Sequence, residues 1–240
     1  MRVEVFDELD STNEEAKRRA ASGEAGPLWI MARAQTAGRG RRGRAWTSAG
    51  GNLFTTGLYR LDATPAGAAN LSFAAALAVG DLAASVIDPA LVKLKWPNDV
   101  LIGGRKTSGI LLESGAHQAG GLWLAVGIGV NLAHHPEDSE RPATDFSVHG
   151  ASLTPEAALE TLSGRFEHWR LQHQREGFAP LRQAWLSRAH GLGERCTVRL
   201  EGETLEGVFA DLAEDGALRL DLPGGGRRLI SAGDVFFPQG

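Results

Sequence analysis

Residues 38–46 read Gly-Arg-Gly-Arg-Arg-Gly-Arg-Ala-Trp, and apolar stretches typical of buried strands lie on both sides, at 28–34 and 52–58. The three glycines have the Gly-x-Gly-x-x-Gly spacing of a dinucleotide-binding fingerprint, which requires that a helix follow them. Here a strand rich in Phe and Thr follows instead. The stretch therefore argues against a dinucleotide-binding fold and predicts a loop that joins two strands.

The loop carries four arginines, Arg39, Arg41, Arg42 and Arg44, in a chain whose net charge is −4. Arginine presents a planar fork of donors that suits carboxylates and phosphates, and glycine lets the backbone approach a ligand closely. The loop is therefore suited to gripping an anion. A basic loop that only faces solvent has the same composition, so the other parts of the chain have to decide between these two interpretations.

The composition is that of an ordinary globular protein, since 42% of the 240 residues are hydrophobic and 22% are charged. A net charge of −4 argues against general nucleic-acid binding, which usually needs a basic domain. The single cysteine, Cys196, cannot form an internal disulfide, which fits a reducing compartment. The first ten residues lack the apolar core of a signal peptide, and no run approaches the ~20 apolar residues of a membrane span. We therefore expect a cytoplasmic protein without a membrane partner.

A helix is predicted directly after the first strand, which spans 3–9. Ser11 and Glu14 have the spacing of a capping box, so the helix should run over 12–22. Residues 11–13 can serve as caps alone. Three small hydrogen-bonding side chains at a helix N-terminus also suit a polar ligand, and both roles stay open at this point.

Polar side chains collect at the ends of the other predicted strands. The stretch 66–86 predicts a buried helix, and a strand at 92–96, a hairpin with a Gly-Gly turn at 100–113 and a strand at 122–130 follow it. Because these strands are otherwise apolar, we expect their polar ends to share one edge of a sheet. The residues concerned are Ser11, Thr12, Asn13, Gln35, the arginines of the loop, Asn98, Asp99, Lys106 and Asn131.

Beyond residue 131 the chain changes character twice. An irregular polar loop at 134–149 contains a His-His pair, but no cysteine or carboxylate set stands at the spacing of a zinc site, and the ligands of any metal stay unknown. Two helices are predicted at 154–175 and 178–190. Five short strands then alternate with glycine-rich turns, which indicates a small barrel. We therefore divide the chain into domains 1–192 and 193–240.

Four motifs together resemble the signatures of the biotin protein ligases, in that family's order and spacing. They are Gly38-Arg-Gly-Arg-Arg-Gly-Arg44, Lys95-Trp-Pro-Asn-Asp99, Lys106-x-x-Gly-Ile-Leu111 and Gly127-x-Gly-x-Asn131. With residues 11–13 and the C-terminal strands, the resemblance covers nearly the whole chain. Each motif alone is modest, but the ordered set is highly specific to the family.

The resemblance implies an α+β fold. A mixed sheet with flanking helices, similar to the catalytic domains of class II aminoacyl-tRNA synthetases, would be followed by an SH3-like β-barrel. The implied activity has two steps: ATP and biotin form biotinyl-5′-AMP, with Mg²⁺ beside the phosphates, and a lysine of a biotin carboxyl carrier protein then displaces AMP. A homodimer is an expectation that comes from the family alone.

The resemblance also implies roles for individual residues. The biotin-binding set is Ser11, Thr12, Asn13, Gln35, Arg39, Gly40, Arg41, Lys106 and Gly109. The set that binds ATP or the adenylate is Arg41, Arg44, Trp46, Asn98, Lys106 and Asn131, with Trp46 covering adenine. The expected catalytic residues are Arg41 and Lys106, which would neutralise the reacting anions, and Asp99, which would face the incoming lysine.

Two departures from the family and two alternative functions follow. The chain begins directly at the predicted catalytic domain, so we expect no DNA binding. Thr107-Ser108 replaces a more usual apolar-small pair, which puts the polarity of the biotin wall in question. A lipoate or octanoate ligase shares the fold but needs a longer apolar tunnel. A non-enzymatic biotin-sensing regulator is the other alternative, and the lack of a basic recognition helix argues against it.

Overall fold

Seven strands form a mixed sheet in the N-terminal part of the computed structural model, which describes residues 2–48, 50–137 and 142–238. The strands are β1 Arg2–Leu9, β2 Leu28–Gln35, β3 Leu53–Leu61, β4 Val92–Lys95, β5 Asp99–Ile102, β6 Arg105–Ala116 and β7 Leu122–Val130. They are ordered β1-β2-β3-β7-β6-β5-β4, with β1 and β2 parallel and all other neighbours antiparallel. Each strand predicted for this part of the chain is present.

Helices cover both faces of this sheet. The first helix, α1 (Thr12–Ala21), packs on one face against Leu28 and Ile30 of β2. Trp29 and Met31 alternate with those two residues along the strand, so they point to the opposite face and join the main core. The helices on that opposite face are α2 Pro65–Ala69, α3 Leu71–Ala84, α4 Pro155–Glu176 and α5 Ala179–Leu186.

Two predicted helices differ in extent from the observed ones. The predicted helix 66–86 consists of α2 and α3 with a single residue between them. The predicted helix 178–190 is shorter, because the residues after α5 leave the helix to pair with the outer edge of β4. There Arg188 O accepts a hydrogen bond from Leu94 N at 2.9 Å, and His190 N donates to Leu94 O at 2.8 Å. This pairing covers backbone groups that an edge strand would otherwise expose.

The helical stretch Pro65–Ala84 corrects the expectation that no run has the character of a membrane span. It has 20 residues, and its most apolar window of 18 residues has a mean hydropathy of 1.3, which is enough for a span by length and composition. In the fold, 72% of its most apolar window is buried inside the protein. Ala74, Leu77 and Leu82 of α3 are fully buried in the main core. The stretch is therefore apolar because it forms the central helix of this core.

A second sheet of five antiparallel strands follows α5. Its strands are β8 Arg195–Arg199, β9 Thr204–Leu212, β10 Leu218–Asp221, β11 Arg227–Ile230 and β12 Asp234–Phe236. Their order is β11-β10-β9-β8-β12. The five short strands predicted from the alternating pattern are thus confirmed, and β12 returns to the edge of the sheet next to β8.

Aromatic side chains join the two sheets. The ring of Trp185 in α5 lies between those of Phe73 in α3 and Phe209 in β9, with centroid distances of 5.6 Å and 6.4 Å. Trp96 Nε1 donates a hydrogen bond of 3.1 Å to Gly216 O in the turn between β9 and β10. Packed aromatic rings contribute both buried area and a preferred geometry. These contacts set the position of the C-terminal sheet relative to the seven-stranded sheet.

Candidate active site

One cavity of about 360 Å³ lies on the face of the seven-stranded sheet that carries α1. The arginine loop forms one wall, and the opposite wall comes from β6, β7 and the turn before β5. Every residue that the sequence placed in the site lines this cavity. They are Ser11, Thr12, Asn13, Gln35, Arg39, Gly40, Arg41, Arg44, Trp46, Asn98, Asp99, Lys106, Gly109 and Asn131.

The N-terminus of α1 contributes a serine that does not cap the helix. Ser11 stands at the N-cap position, but its side chain makes no capping hydrogen bond. Glu14 does not complete a capping box either, because its carboxylate lies 3.1 Å from Lys17 Nζ and pairs with Arg39. The predicted capping box was therefore wrong. The Ser11 residue is only 3% exposed and lines the cavity, so its hydroxyl is available to a ligand.

Amide and hydroxyl groups form one end of the cavity. Thr12 N donates to Gln35 Oε1 at 2.8 Å. Asn13 Nδ2 donates to Glu113 Oε2 at 2.8 Å, and Asn13 Oδ1 accepts from the Thr56 hydroxyl at 2.7 Å. The Thr56 oxygen also lies 2.8 Å from Thr12 Oγ1. The polar residues that line this end of the cavity are thus held in position by hydrogen bonds to one another and to Thr56 and Glu113.

Thr56 is a residue that reasoning from the sequence missed. It is fully buried on β3 and supports two of the predicted ligand-binding side chains, Thr12 and Asn13. The alternation along β3 contained the signal, since Thr56 faces the cavity side while Thr55 donates to Ile30 O on β2. Only the position of α1 over β3 shows that the hydroxyl of Thr56 meets the helix N-terminus.

Two glycines of β7 make room for these side chains and for a tryptophan. A Cβ at Gly127 would lie 2.2 Å from Asn13 Oδ1, and one at Gly129 would lie 2.6 Å from the ring of Trp46. A Cβ at Gly109 on β6 would come within 2.9 Å of the same ring. Because these glycines have no Cβ, the Asn13 amide and the Trp46 indole lie directly against the sheet.

The other end of the cavity contains a buried ion pair. Lys106 Nζ lies 2.6 Å from Asp99 Oδ1, and the Asp99 side chain is only 4% exposed. The Lys106 ammonium also lies 5.5 Å from the centroid of the Trp46 ring. Asn98 anchors the turn before β5, because its Nδ2 donates to Ile110 O at 2.7 Å. This end of the cavity therefore presents a cation with a defined position.

Three of the four arginines in the loop form ion pairs with carboxylates. Arg39 pairs with Glu14 of α1. Arg42 and Arg44 both pair with Asp234 of β12, with a distance of 3.1 Å from Arg42 Nη1 to Asp234 Oδ2. The loop is therefore tied to α1 on one side and to the C-terminal sheet on the other.

Arg41 differs from the other three arginines. Its Nη1 donates to Asn98 Oδ1 at 3.2 Å, and no carboxylate of the described residues lies within 4 Å of its guanidinium. Burial lowers the pKa of the Arg41 guanidinium, although it remains charged at any ordinary pH. A half-buried arginine with no carboxylate this close among the described residues is suited to receive an anionic ligand.

The Thr107-Ser108 pair and the His-His pair lie outside the cavity, whereas Pro136 and Ala143 of the polar loop line it. Thr107 and Ser108 are fully buried and do not line it, and the Thr107 hydroxyl donates to Asn131 O at 3.3 Å. In the polar loop, His135 Nδ1 lies 2.6 Å from Asp145 Oδ2. Residues 138–141 of this loop lie outside the described residues. Within the described ranges, no group of three or more His, Cys, Asp or Glu side chains could hold a metal ion.

The fold and the cavity define a class of protein before any comparison is made. The cavity has an amide-rich end and a cation-rich end, and a glycine-rich loop covers it. Fixed cations in a cleft stabilise charge that develops when two anionic groups react. These features are those of an enzyme that joins a small acid to a nucleotide, as ligases do.

The family follows from comparison with known proteins. Residues 5–131 match the biotin/lipoate A/B protein ligase family, and residues 191–237 match the biotin protein ligase C-terminal domain. The chain is 43% identical to a biotin–acetyl-CoA-carboxylase ligase of Paracoccus denitrificans over 95% of its own length and 97% of the relative. A ligase of the same name from Mycobacterium tuberculosis is 34% identical over 97% of the chain and 88% of that relative. The chain belongs to the biotin protein ligase family.

Solved structures agree with this assignment. A biotin protein ligase from Aquifex aeolicus in complex with biotin and ATP superposes with a TM-score of 0.80 at 25% identity, covering 100% of this chain and 99% of the other. The Leishmania major enzyme in complex with biotinyl-5-AMP has a TM-score of 0.67 at 26% identity, covering 96% and 99%. The comparisons thereby confirm the family that the four motifs indicated, over nearly the whole chain.

Proposed function

We propose that this chain is an ATP-dependent biotin protein ligase. It would form biotinyl-5′-AMP from biotin and ATP and then transfer biotin to a lysine of a biotin carboxyl carrier protein. The observation that carries the proposal is the pairing, in one cavity, of an amide-rich end with two cations, Arg41 and Lys106. Its relatives of known name and its solved neighbours, which hold biotin, ATP or the adenylate, support the same activity.

The amide-rich end suits the ureido ring of biotin. A ureido group offers two N–H donors and one carbonyl acceptor, so it needs partners of both kinds. Ser11, Thr12 and Gln35 supply hydroxyl and amide groups at this end, and Asn13 completes the set. Arg39, Gly40 and Gly109 line the path between this end and the cations.

The cation-rich end suits the triphosphate and the adenylate. In the first step the biotin carboxylate oxygen attacks the α-phosphorus of ATP, and the bond from that phosphorus to the pyrophosphate oxygen breaks. Arg41 and Lys106 are placed to neutralise the charge that develops there. Arg44, Trp46, Asn98 and Asn131 also line the cavity and would contact the nucleotide. Mg²⁺ would enter with the phosphates of ATP, because this ion usually binds through substrate phosphates and one or two carboxylates.

In the second step the acceptor amine attacks the acyl carbon of the adenylate, and AMP leaves. The attacking nitrogen must lose a proton, and Asp99 is the carboxylate nearest to Lys106 in the cavity, with 2.6 Å between the two groups. When Lys106 turns to the phosphate, the Asp99 carboxylate would accept that proton. Closure of the arginine loop excludes water, which would otherwise hydrolyse the adenylate.

The finer description of the fold is part of this proposal. The mixed sheet with helices on both faces supports a likeness to class II aminoacyl-tRNA synthetases, and the five antiparallel strands support an SH3-like barrel. We place the domains at 1–192 and 193–240. The exposed edge strand β1 suits pairing with a second copy, so we retain a homodimer as an expectation. We also retain a cytoplasmic location and the absence of DNA and membrane partners.

A reaction with two acids tests the proposal. The purified chain, ATP and Mg²⁺ are mixed with a biotin carboxyl carrier domain and either biotin or lipoate, and the carrier is weighed by mass spectrometry. We expect the mass of one biotinyl group on the carrier lysine and pyrophosphate release that depends on biotin. Transfer of lipoate but not biotin would assign the chain to the lipoate ligases. Tight biotin binding without pyrophosphate release would assign it to the non-enzymatic regulators.

Replacing Thr56 with valine is expected to weaken biotin binding roughly tenfold, because Asn13 Oδ1 loses its buried donor while the shape of the side chain is kept. Titration calorimetry with biotin measures the effect. Thr55→Val is the matched control, since Thr55 is equally buried on the same strand but its hydroxyl faces Ile30 O. Equal biotin affinities for the two variants would show that Thr56 does not support the binding residues.

A further inference from the structure

The C-terminal sheet contributes one carboxylate to the lining of the cavity. Its negative charge is unexpected in a cavity that is proposed to bind phosphates. Asp234 of β12 lines the cavity, and its side chain is 13% exposed. A carboxylate in a cavity that receives phosphates repels them unless cations compensate for it. Arg42 and Arg44 provide this compensation, since both pair with Asp234 Oδ2. The contact joins the loop to a strand that lies almost two hundred residues further along the chain.

The backbone of the loop gives a second, independent observation. Arg42 has a φ of +56°, and no other non-glycine residue of the described ranges has a positive φ. L-residues rarely adopt this conformation, which persists where surrounding contacts enforce it. The ion pair between Arg42 and Asp234 is such a contact. Arg41 precedes Arg42 directly, so the turn at Arg42 also constrains the backbone that carries the Arg41 side chain.

We propose that Asp234 is a positioning residue for the arginine loop. By holding Arg42 and Arg44 against the C-terminal sheet, it turns Arg41 towards the cavity and keeps the loop closed over the adenylate. The C-terminal sheet thus acts on the reaction through the loop. The inference rests on the proposed function, because it assigns the retention of biotinyl-5′-AMP to this loop.

The variant Asp234→Asn separates this role from simple electrostatic repulsion, because the two explanations predict opposite changes in how tightly the adenylate is bound. If Asp234 were only a negative charge near phosphates, its removal would make the enzyme bind ATP and the adenylate more tightly. If Asp234 positions the loop, the adenylate should dissociate roughly five- to tenfold faster, as expected for the loss of two partly exposed ion pairs. The rate is measured by chasing labelled biotinyl-5′-AMP, bound to the purified protein, with unlabelled adenylate.

Limited digestion with trypsin gives a readout that does not depend on activity. Trypsin cleaves after arginine, so fragments that end at residues 39–44 report how exposed the loop is. We expect ligand-free Asp234→Asn to be cut there several times faster than the wild type. Asp234→Glu, which keeps the charge, should restore slow cleavage and slow adenylate release. Asp221→Asn is the control, because it removes the exposed pair of Asp221 with Arg227 from the same sheet outside the cavity.

The outcomes distinguish the two proposals. A wild-type chain that forms no adenylate from biotin and ATP contradicts the proposed function itself. A wild-type chain that forms adenylate, together with an Asp234→Asn variant that releases it no faster, contradicts the role of Asp234. Equal effects of Asp234→Asn and Asp221→Asn on loop cleavage and melting temperature would also overturn it, because a general loss of stability would then explain the result.

Discussion

Replacing Lys106 with alanine is expected to lower the rate of biotinyl-5′-AMP formation by roughly a hundredfold or more. The Lys106 ammonium is the cation that β6 holds at the cation-rich end of the cavity, 2.6 Å from Asp99 Oδ1. Without it, the carboxylate of biotin and the α-phosphate of ATP approach each other with less of their charge neutralised. Pyrophosphate release in a single turnover, with saturating biotin and ATP, measures the loss.

The controls for Lys106 separate chemistry from stability. Lys106→Ala removes a cation that lies 2.6 Å from the buried Asp99 carboxylate, which is expected to destabilise the protein. Adding Asp99→Asn to Lys106→Ala should recover much of the melting temperature without restoring pyrophosphate release. Lys93→Ala, on β4 and outside the cavity, should release pyrophosphate at the wild-type rate. Wild-type turnover in Lys106→Ala would remove Lys106 from the site.

Arg41→Ala is expected to affect the retention of the adenylate, which should dissociate roughly ten- to a hundredfold faster. Arg41 is the arginine of the loop without a carboxylate within 4 Å among the described residues. Its Nη1 donates a hydrogen bond of 3.2 Å to Asn98 Oδ1. Its guanidinium therefore remains available for the phosphate of the adenylate. Trapping of labelled adenylate on a desalting column, followed by its rate of release, measures the effect.

The matched control for Arg41 is Arg33→Ala. Arg33 lies at the exposed end of β2, where it pairs with Glu156 at 2.6 Å and does not line the cavity. This variant should keep wild-type retention. We also expect the two site variants to differ in kind, since Arg41→Ala forms adenylate and releases it, whereas Lys106→Ala forms little. Adenylate retained by Arg41→Ala as long as by the wild type would show that the loop acts through its other arginines.

Much of this structure was predictable because local patterns determine strands and turns. The apolar alternation in 92–96 and the Gly-Gly pair after Ile102 predict β4 and the hairpin of β5 and β6, and all three are present. A two-residue glycine turn needs no partner far along the chain, since Gly103 and Gly104 adopt positive φ values without strain. The residues of the candidate site were also predictable as a set, because motif order and spacing are properties of the sequence.

The wrong predictions concern groups whose partners are distant in sequence. The spacing of Ser11 and Glu14 is that of a capping box, but Glu14 pairs with Arg39 of the loop instead. The extent of α5 depended on β4, whose edge draws the following residues out of the helix. In each case a local pattern competed with a tertiary contact, and the tertiary contact was satisfied.

The sequence by itself determined the strands, the turns and the fourteen predicted residues of the cavity, since these depend on neighbouring residues and on the order of motifs. Only the tertiary structure decided which of the four arginines pair with carboxylates. Arg39, Arg42 and Arg44 pair with carboxylates of α1 and β12, whereas no carboxylate of the described residues lies within 4 Å of the Arg41 guanidinium. Four arginines in one loop are chemically equivalent until the chain folds. The carboxylates that distinguish them come from elements that meet the loop only when α1 and the C-terminal sheet have packed on either side of it.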